Sequence, residues 1–274
     1  MPYYQGRDQP FIANLFSQSG PIGRSVRDCA LLLQVLSGHD YRDPSSLHES
    51  PKNYLEAANI ETAEFRIGWS ADFSYAPVDN EVLHTAFEST KVFENLGSKV
   101  DAVDISLDNK AFENFWTLFS ANVFAKSPNL LTEHYNELTD YSRESLEHGA
   151  SVTGAKYSTA LGEIEKIKAL FENVFESYDL IITPTLAVTA FPHGNPPDRI
   201  NGQLVNPFWG YLPHTYPINM IGNPAASIPC GFSSEGLPIG IQIIGKLGDE
   251  SSVISASAAF ESAQPWIHLK PVVS

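Results

Sequence analysis

The sequence has very few cysteines, with only two among 274 residues. Cys29 and Cys230 lie far apart, each in an apolar stretch, which excludes a disulfide framework and a multi-cysteine zinc site. Free cysteines in such surroundings behave as small apolar side chains and are usually buried. We therefore predict two buried free thiols without a reactive role.

Long apolar runs and positive charge are also scarce. No uninterrupted apolar run is long enough to cross a membrane, and the first residues lack the layout of a signal peptide. Lysine and arginine number 17 against 32 aspartate and glutamate, a net charge of −15 that repels phosphate backbones. These features predict a cytoplasmic protein with neither a membrane nor a nucleic acid as partner.

Common catalytic motifs are missing as well. The sequence has no Gly-x-Ser-x-Gly, no His-Glu-x-x-His, no phosphate-binding loop and no Gly-x-Gly-x-x-Gly. The eight histidines show no metal-ligand spacing, so we predict neither a metal nor an organic cofactor. What is present is a globular composition, with 43% hydrophobic and 18% charged residues.

Local patterns predict alternating helices and strands in the first part of the chain. Ser25, with Asp28 three residues later, begins a helix with a capping box. Residues 66–69 form a short strand, a helix capped by Asp79 follows, and residues 99–105 form a second strand. Strand, helix and strand with short joints are typical of a parallel crossover.

The rest of the chain predicts a helical region followed by buried strands. Residues 111–178 are mostly helical, and the last helix there starts at about Thr159. A buried strand over 178–185 ends in proline, and apolar runs at 225–230 and 239–244 predict an antiparallel hairpin buried on both faces. The predicted fold class is α/β, with a mixed β-sheet flanked by α-helices.

Polar residues and prolines crowd against apolar residues over 215–232. Pro217 lacks a backbone donor and Gly222 permits unusual backbone angles, so we expect a rigid, specially shaped loop. The amide of Asn219 has two interpretations: it contacts a substrate, or it satisfies buried backbone groups. Physical chemistry alone favours the second interpretation.

Several segments, in order along the chain, resemble the amidase-signature family. Residues 20–28 are similar to its Gly-Pro-x-x-Arg-(Thr/Ser)-Val-x-Asp helix start, and residues 178–185 to its strand that ends in Thr-Pro-Thr. Further similar segments are residues 43–45, 215–232, 236–245, 249–250, Trp266 and Pro271. The resemblance implies a large mixed sheet wrapped in helices and hydrolysis of a carbon–nitrogen amide bond.

The catalytic segment of that family is not found in this sequence. The family uses a serine nucleophile, a second serine in a cis peptide and a lysine base, all of which precede the Gly-Pro-x-x-Arg helix. About nineteen residues precede Gly20, and they contain no such segment. The resemblance therefore implies an incomplete amidase-signature fold. Residues 1–274 would be the C-terminal portion of the domain without a catalytic residue, and Met1 an internal methionine of a longer reading frame.

The resemblance assigns one wall of the acyl pocket to this portion. The candidates for substrate binding are Trp116, Thr185, Trp209, Thr215 and Asn219. Each has a structural alternative, because aromatic side chains are more often core residues and Thr185 closes a strand. The ligand of the intact enzyme would be a small-molecule amide.

The glutamyl-tRNA amidotransferase branch of the family also resembles the sequence. That branch has an acidic residue a few positions before the Thr-x-Pro stretch, and residues 211–214 contain none. The difference favours a general amidase that acts on apolar acyl groups.

Three functions remain open at this point. The first is an amidase fragment, inactive alone, that self-associates or pairs with a missing N-terminal half through unpaired sheet edges. The second is a non-catalytic binding or assembly module, or one chain of a split amidase or of a protein similar to the amidotransferase A subunit. The third is an independent hydrolase with a serine and a histidine within hydrogen-bond reach.

Overall fold

The computed structural model describes residues 16, 18–41, 46–48, 50, 52–60, 62, 64–108 and 110–270. The helices are α1 (Val26–Leu36), α2 (Tyr54–Ala57), α3 (Asn80–Asn95), α4 (Ala111–Lys126), α5 (Leu130–Glu133), α6 (Asp140–Ser151), α7 (Gly154–Ser177), α8 (Tyr216–Ile221) and α9 (Glu250–Ala263), with a 3₁₀ turn at Tyr135–Glu137. The strands are β1 (Arg66–Trp69), β2 (Lys99–Ala102), β3 (Leu180–Pro184), β4 (Arg199–Ile200), β5 (Gln203–Leu204), β6 (Ala225–Phe232) and β7 (Pro238–Gly245).

Five strands form a mixed sheet in the order β2-β1-β3-β7-β6. β1 pairs in parallel with β2 and with β3, whereas β7 pairs antiparallel with β3 and with β6. β4 and β5 form a separate two-stranded ribbon. The mixed sheet confirms the predicted α/β class, and the parallel β1–β2 pair confirms the expected crossover.

The sheet separates two hydrophobic cores, as β3 shows. Its side chains alternate between the faces, so Ile181 belongs to one core while Leu180 and Ile182 belong to the other. The first core, on the Ile181 side, includes residues of α4, α7 and α8. The second core includes residues of α3 and α9. All five residues of β3 are buried, as its apolar sequence predicts.

Side-chain caps set where several helices begin. Ser25 and Asp79 each accept a hydrogen bond from a backbone N–H in the first turn, which confirms the predicted starts of α1 and α3. The last helix of the helical region starts at Gly154 rather than at Thr159, because the Thr153 side chain caps it there.

Two strand predictions need correction. The strand predicted over 99–105 ends at Ala102, which is the register partner of Trp69, the last residue of β1. β6 is not buried on both faces, since Ala225 and Ser227 are exposed while Ile228 is buried. The reason is that α3 and α9 pack on the face of β6 that carries Ile228, in the second core.

The segment 215–222 contains a short helix, α8, instead of the predicted loop. Proline is tolerated in the first turn of a helix, where its missing N–H would have no partner, and Pro217 lies there. Gly222 ends the helix with φ of 81°, in the left-handed region that favours glycine. Asn219 is exposed on this helix, so the prediction that its amide satisfies buried backbone groups is wrong.

The prediction of two buried thiols is correct for only one of them. Cys230 is buried in the second core, where desolvation raises the pKa of its thiol to about 11. Cys29 is only partly buried, because α1 lies at the periphery in a small cluster with α2 and α9. Desolvation also raises the pKa of Cys29. Both thiols therefore stay protonated at neutral pH.

In the ranges that the structure describes, no helix combines the length and the apolar character needed to span a bilayer. The segments at residues 43–45 and 271, which contributed to the family resemblance, lie outside the described residues, as does Met1.

Candidate functional site

One face of α4 carries a row of aromatic side chains. Phe112, Phe115, Trp116 and Phe119 follow the three- and four-residue spacing that places side chains on one face of a helix. The ring centroids of Phe115 and Phe119 are 5.5 Å apart, and those of Trp116 and Phe119 are 6.0 Å apart. The row extends outward from the first core, where Phe115 is buried and Trp116 is half-buried.

A tight turn brings Trp209 onto this aromatic face. The Asn206 carboxamide oxygen accepts hydrogen bonds from the backbone N–H groups of Phe208 and Trp209, at 2.8 and 3.1 Å. A Cβ on Gly210 would lie 2.5 Å from the Cβ of Val205, so the turn requires glycine there.

The Trp209 ring joins the α4 aromatics in edge-to-face contacts. Its centroid lies 4.7 Å from Phe115, 5.0 Å from Phe119 and 6.2 Å from Trp116. Tyr141 of α6 lies 6.0 Å away. The indole Nε1–H of Trp209 is buried and has no hydrogen-bond partner among the described residues. The ring cluster therefore combines a large apolar surface with one unused donor.

Helix α8 borders the same cluster. Tyr216 stacks on Phe115 with ring centroids 4.7 Å apart, and its hydroxyl is in hydrogen-bond contact with that of Tyr75 at 2.9 Å. Desolvation raises the pKa of Tyr216 to about 12, so the phenol is neutral. Thr215 precedes α8 and its hydroxyl donates to the Leu212 carbonyl at 3.1 Å.

Thr185 lies away from the aromatic cluster, just after the end of β3. Its hydroxyl is 2.8 Å from that of Ser227 on β6, and both hydroxyls lie against Gly240 of β7. A Cβ on Gly240 would meet both hydroxyl oxygens, at 3.2 and 3.3 Å. Ser227 is a residue that the sequence analysis missed, because only the register of β6 and β7 brings it to Thr185.

A buried histidine and its hydrogen-bond partners lie next to β3 and β7. His214 is completely buried, and its Nε2 lies 3.2 Å from the Ala71 carbonyl. Desolvation lowers the pKa of His214 to about 4, so the ring is neutral at pH 7. Gln242 donates through Nε2 to the His214 carbonyl at 2.9 Å and to the Thr183 hydroxyl at 3.3 Å.

The structure thus brings together some of the five predicted site residues. Trp116 and Trp209 are in ring contact, and Thr215 adjoins them through its neighbour Tyr216. Asn219 is one turn further along α8, where its N–H donates to the Thr215 carbonyl at 3.0 Å. Thr185 instead pairs with Ser227. The assignment of all five to substrate binding stays a prediction.

A groove of about 430 Å³ lies away from the aromatic cluster. It runs between residues 20–33, β6 and α9, and its lining is mostly apolar. Ser227 contributes to it, but none of the five predicted residues does. The groove is therefore separate from the predicted acyl-pocket wall.

Two further kinds of site can be assessed in the described part of the chain. It holds no cluster of three or more His, Cys, Asp or Glu side chains that could bind a metal ion. It does hold a serine–histidine pair, in which the Ser120 hydroxyl lies 2.7 Å from Nδ1 of His148. Ser120 is 0% exposed, so its hydroxyl is inaccessible to a substrate carbonyl.

Comparison with known proteins identifies the family. Residues 4–254 match the family described as Amidase. An acylamidase from Rhodococcus erythropolis is 31% identical over 263 residues, which cover 93% of this chain and 54% of that protein. The A subunit of the glutamyl-tRNA(Gln) amidotransferase of Geobacillus thermodenitrificans is 31% identical over 287 residues, covering 95% of this chain and 58% of that protein.

Solved structures agree with the sequence matches. A bacterial aryl acylamidase of the amidase-signature family superposes with a TM-score of 0.83 at 31% identity, covering 90% of this chain and 53% of that one. The A subunit of the glutamyl-tRNA(Gln) amidotransferase of Thermotoga maritima gives a TM-score of 0.64 at 26% identity, covering 90% of this chain and 53% of that one.

The chain spans about half the length of the curated relatives it matches. The matches do not bear out the prediction that the chain corresponds to the C-terminal half. They give the fraction of each relative's length that is covered, but not which part of the relative it is. They do confirm the predicted resemblance, because a family match over most of the residues and two relatives above 30% identity agree with the fold. The chain belongs to the amidase family.

Proposed function

We propose that this chain takes part in the hydrolysis of a small-molecule amide and supplies one wall of the pocket for an apolar acyl group. The contact between Trp116 and Trp209, in a cluster of aromatic rings bordered by α8, carries the proposal. Such a surface desolvates a flat apolar group and excludes water from the reacting bond. Thr215 and Asn219 would supply polar contacts at its border, and Thr185, which pairs with Ser227, would supply a separate polar contact just after β3.

Catalysis itself would come from other residues. The resemblance implies a serine nucleophile, a second serine in a cis peptide and a lysine base, and no residue of this chain is assigned to those roles. We therefore infer that the 274 residues are inactive alone and that they shape the pocket of a longer amidase. A cytoplasmic location also stays a prediction from the sequence.

An activity assay tests this proposal. The 274-residue chain and the longest reading frame that contains it are compared on a simple aryl amide. We expect hydrolysis only by the longer protein. Hydrolysis by the 274 residues alone would show that a nucleophile and a base are present within them, and the proposed role would then be wrong.

Variants of the longer protein test the pocket wall. Trp209→Ala should raise KM for the aryl amide about tenfold, since an aromatic contact and its buried area are lost. Phe87→Ala is the matched control, because Phe87 is an aromatic residue of α3 that contacts Trp69 in the second core. Equal effects of the two variants would contradict the proposed wall.

A second candidate function is that of a chain similar to the amidotransferase A subunit. Relatives of that name match at 31% identity, and they are subunits of a larger assembly. The absence of an acidic residue at 211–214 counts against it. Purification of the tagged chain from its own cells distinguishes the two: a stoichiometric partner chain supports the role in such an assembly, and a chain isolated alone supports the general amidase.

A further inference from the structure

His148 lies beside the proposed pocket wall, although nothing in the sequence pointed to it. It belongs to α6, and its ring centroid is 5.5 Å from that of Trp116. Helix α6 approaches α4 closely because Gly149, the next residue, has no side chain. A Cβ there would lie 2.1 Å from the backbone oxygen of Ser120. This close backbone contact determines the position of the His148 imidazole along the axis of α4.

The hydroxyl of Ser120 determines which nitrogen of His148 carries the proton. Ser120 Oγ lies 2.6 Å from the Trp116 carbonyl oxygen and 2.7 Å from His148 Nδ1. Two oxygens at 2.6 Å with no hydrogen between them would repel each other, so the hydroxyl donates to the carbonyl. Its oxygen then accepts from Nδ1–H, and the neutral imidazole keeps a lone pair on Nε2.

Nε2 of His148 is available to a ligand. It has no hydrogen bond to any residue that the structure describes, and it is not among the buried polar atoms without a partner. The side chain is half-buried, so solvent reaches this nitrogen at the border of the ring cluster. Desolvation and the charge of Lys156 lower the pKa of His148, which keeps the ring neutral at pH 7.

We propose that His148 is a specificity-determining residue whose Nε2 accepts a hydrogen bond from a hydroxyl or N–H group on an aromatic acyl group held by Trp116 and Trp209. This inference rests on the proposed function, because it takes the aromatic cluster as the acyl-pocket wall. Ser120 is a positioning residue that acts through His148. The favoured substrates are aromatic amides with a donor group on the ring, over those with a methylated oxygen.

The experiment uses the longest reading frame that contains these residues, because the proposed wall belongs to a longer amidase, with phenol and anisole as probes. Both are flat and apolar, but only phenol donates a hydrogen bond. Binding is followed by NMR through the Trp116 and Trp209 indole N–H signals. We expect the ratio of phenol affinity to anisole affinity to fall about fivefold in His148→Phe, the loss expected for one neutral hydrogen bond. An unchanged ratio would overturn the role of His148.

A second measurement needs no ligand. The ¹⁵N chemical shifts of the His148 ring should show the proton on Nδ1 in the unmodified chain and a mixture of both forms in Ser120→Ala. Ser257→Ala is the matched control, because Ser257 is also buried and bonds a carbonyl four residues earlier, in α9. A proton found on Nε2 in the unmodified chain would contradict the proposal.

The two proposals fail in different ways. If phenol and anisole both shift the Trp116 and Trp209 signals, but with a ratio that His148→Phe does not change, only the role of His148 is wrong. If neither probe shifts those signals, the cluster is not an acyl-binding wall and the proposed function is wrong as well.

Discussion

At the residue scale, Asp179 forms ion pairs that connect the ends of three strands. Its carboxylate accepts two hydrogen bonds from the Arg66 guanidinium, at 2.7 and 3.1 Å, and lies 3.7 Å from Lys246 Nζ. These residues lie at or beside the ends of β1, β3 and β7. The Arg66 hydrogen bonds lower the pKa of Asp179 from 3.8 to about 2. The ion pair therefore stabilises the fold only while Asp179 is ionised.

The first prediction concerns Asp179→Asn. A carboxyl with a depressed pKa contributes stability above its unfolded value of 3.8, and that stability is lost as pH falls toward 2. Because Asp179 is partly exposed, we expect a loss of about 1 kcal/mol in the free energy of unfolding at pH 7. Urea denaturation at pH 7 and pH 3 measures it. Asp101→Asn, which breaks the more exposed pair with Lys99, is the matched control and should cost less stability at pH 7.

The second prediction concerns the buried His214. The folded protein holds the ring neutral, with a pKa lowered by desolvation to about 4, whereas the unfolded chain takes up a proton below about 6.5. Stability should therefore fall by up to about 3 kcal/mol as pH decreases from 6.5 to 4. Thermal unfolding across this range measures the slope.

Two substitutions separate His214 from other titrating groups. His214→Gln keeps a side-chain N–H for the Ala71 carbonyl but removes the titration, so the slope between pH 6.5 and 4 should become shallower. His84→Gln changes an exposed histidine of α3 and serves as control. If both variants keep the slope of the unmodified chain, His214 is not its source.

Prediction from the sequence was least complete for side-chain pairs at the residue scale. Trp116 and Trp209 were predicted as site residues and do meet. Ser227 was missed, because its contact with Thr185 depends on the register of β6 and β7, which no local pattern encodes. His148 was missed because a glycine contact between α6 and α4 places it, and no local pattern encodes that contact either.

At the scale of elements, local signals were sufficient for most helices and strands. α1 and α3 begin where an oxygen-bearing side chain caps the first turn, and both signals lie within four residues of the helix start. α8 was predicted as a loop because Pro217 is compatible with either structure. β6 is only partly buried because it is an edge strand of the sheet, and the order of the strands is a property of the whole sheet.

The third prediction concerns the packing of α6 on α4. Gly149→Ala would place a methyl group 2.1 Å from the Ser120 backbone oxygen, so the helices must separate. We expect a loss of about 2–3 kcal/mol in the free energy of unfolding. Gly162→Ala in α7 meets no atom within 4 Å, and it should stabilise by about 0.5–1 kcal/mol through helix propensity. Chemical denaturation of both variants decides; destabilisation of equal size would contradict the packing argument.

At the scale of the whole molecule, α1 presents an apolar stripe to solvent. Its exposed members are Leu31, Leu32, Val35 and Leu36, with Val35 75% exposed. The net charge of −15 opposes contact between copies of the chain at low ionic strength. Added salt screens that repulsion and leaves the apolar contact in place.

The fourth prediction is therefore self-association that increases with salt. Sedimentation should show a larger mean mass at about 0.5 M than at about 0.05 M sodium chloride, because the screening length shortens over this range. Val35→Glu should suppress the change. Leu204→Glu adds the same charge at another exposed apolar residue, on β5, and should not. Suppression by both variants would point to net charge alone instead of the α1 stripe.

The sheet order also determines when each strand can pair during synthesis of the chain. β1 meets β3 only when residues 67 and 180 are both available, and β3 waits for β7 at 238–245 to cover its other edge. At about 5–20 residues per second, a ribosome needs roughly 3–13 s to synthesise the stretch from the start of β3 to the end of β7. During that interval β3, all of whose residues are buried in the folded protein, has an open edge. We therefore expect a nascent chain of this topology to bind chaperones that recognise extended apolar segments, and slower translation after β3 to lower the yield of folded protein.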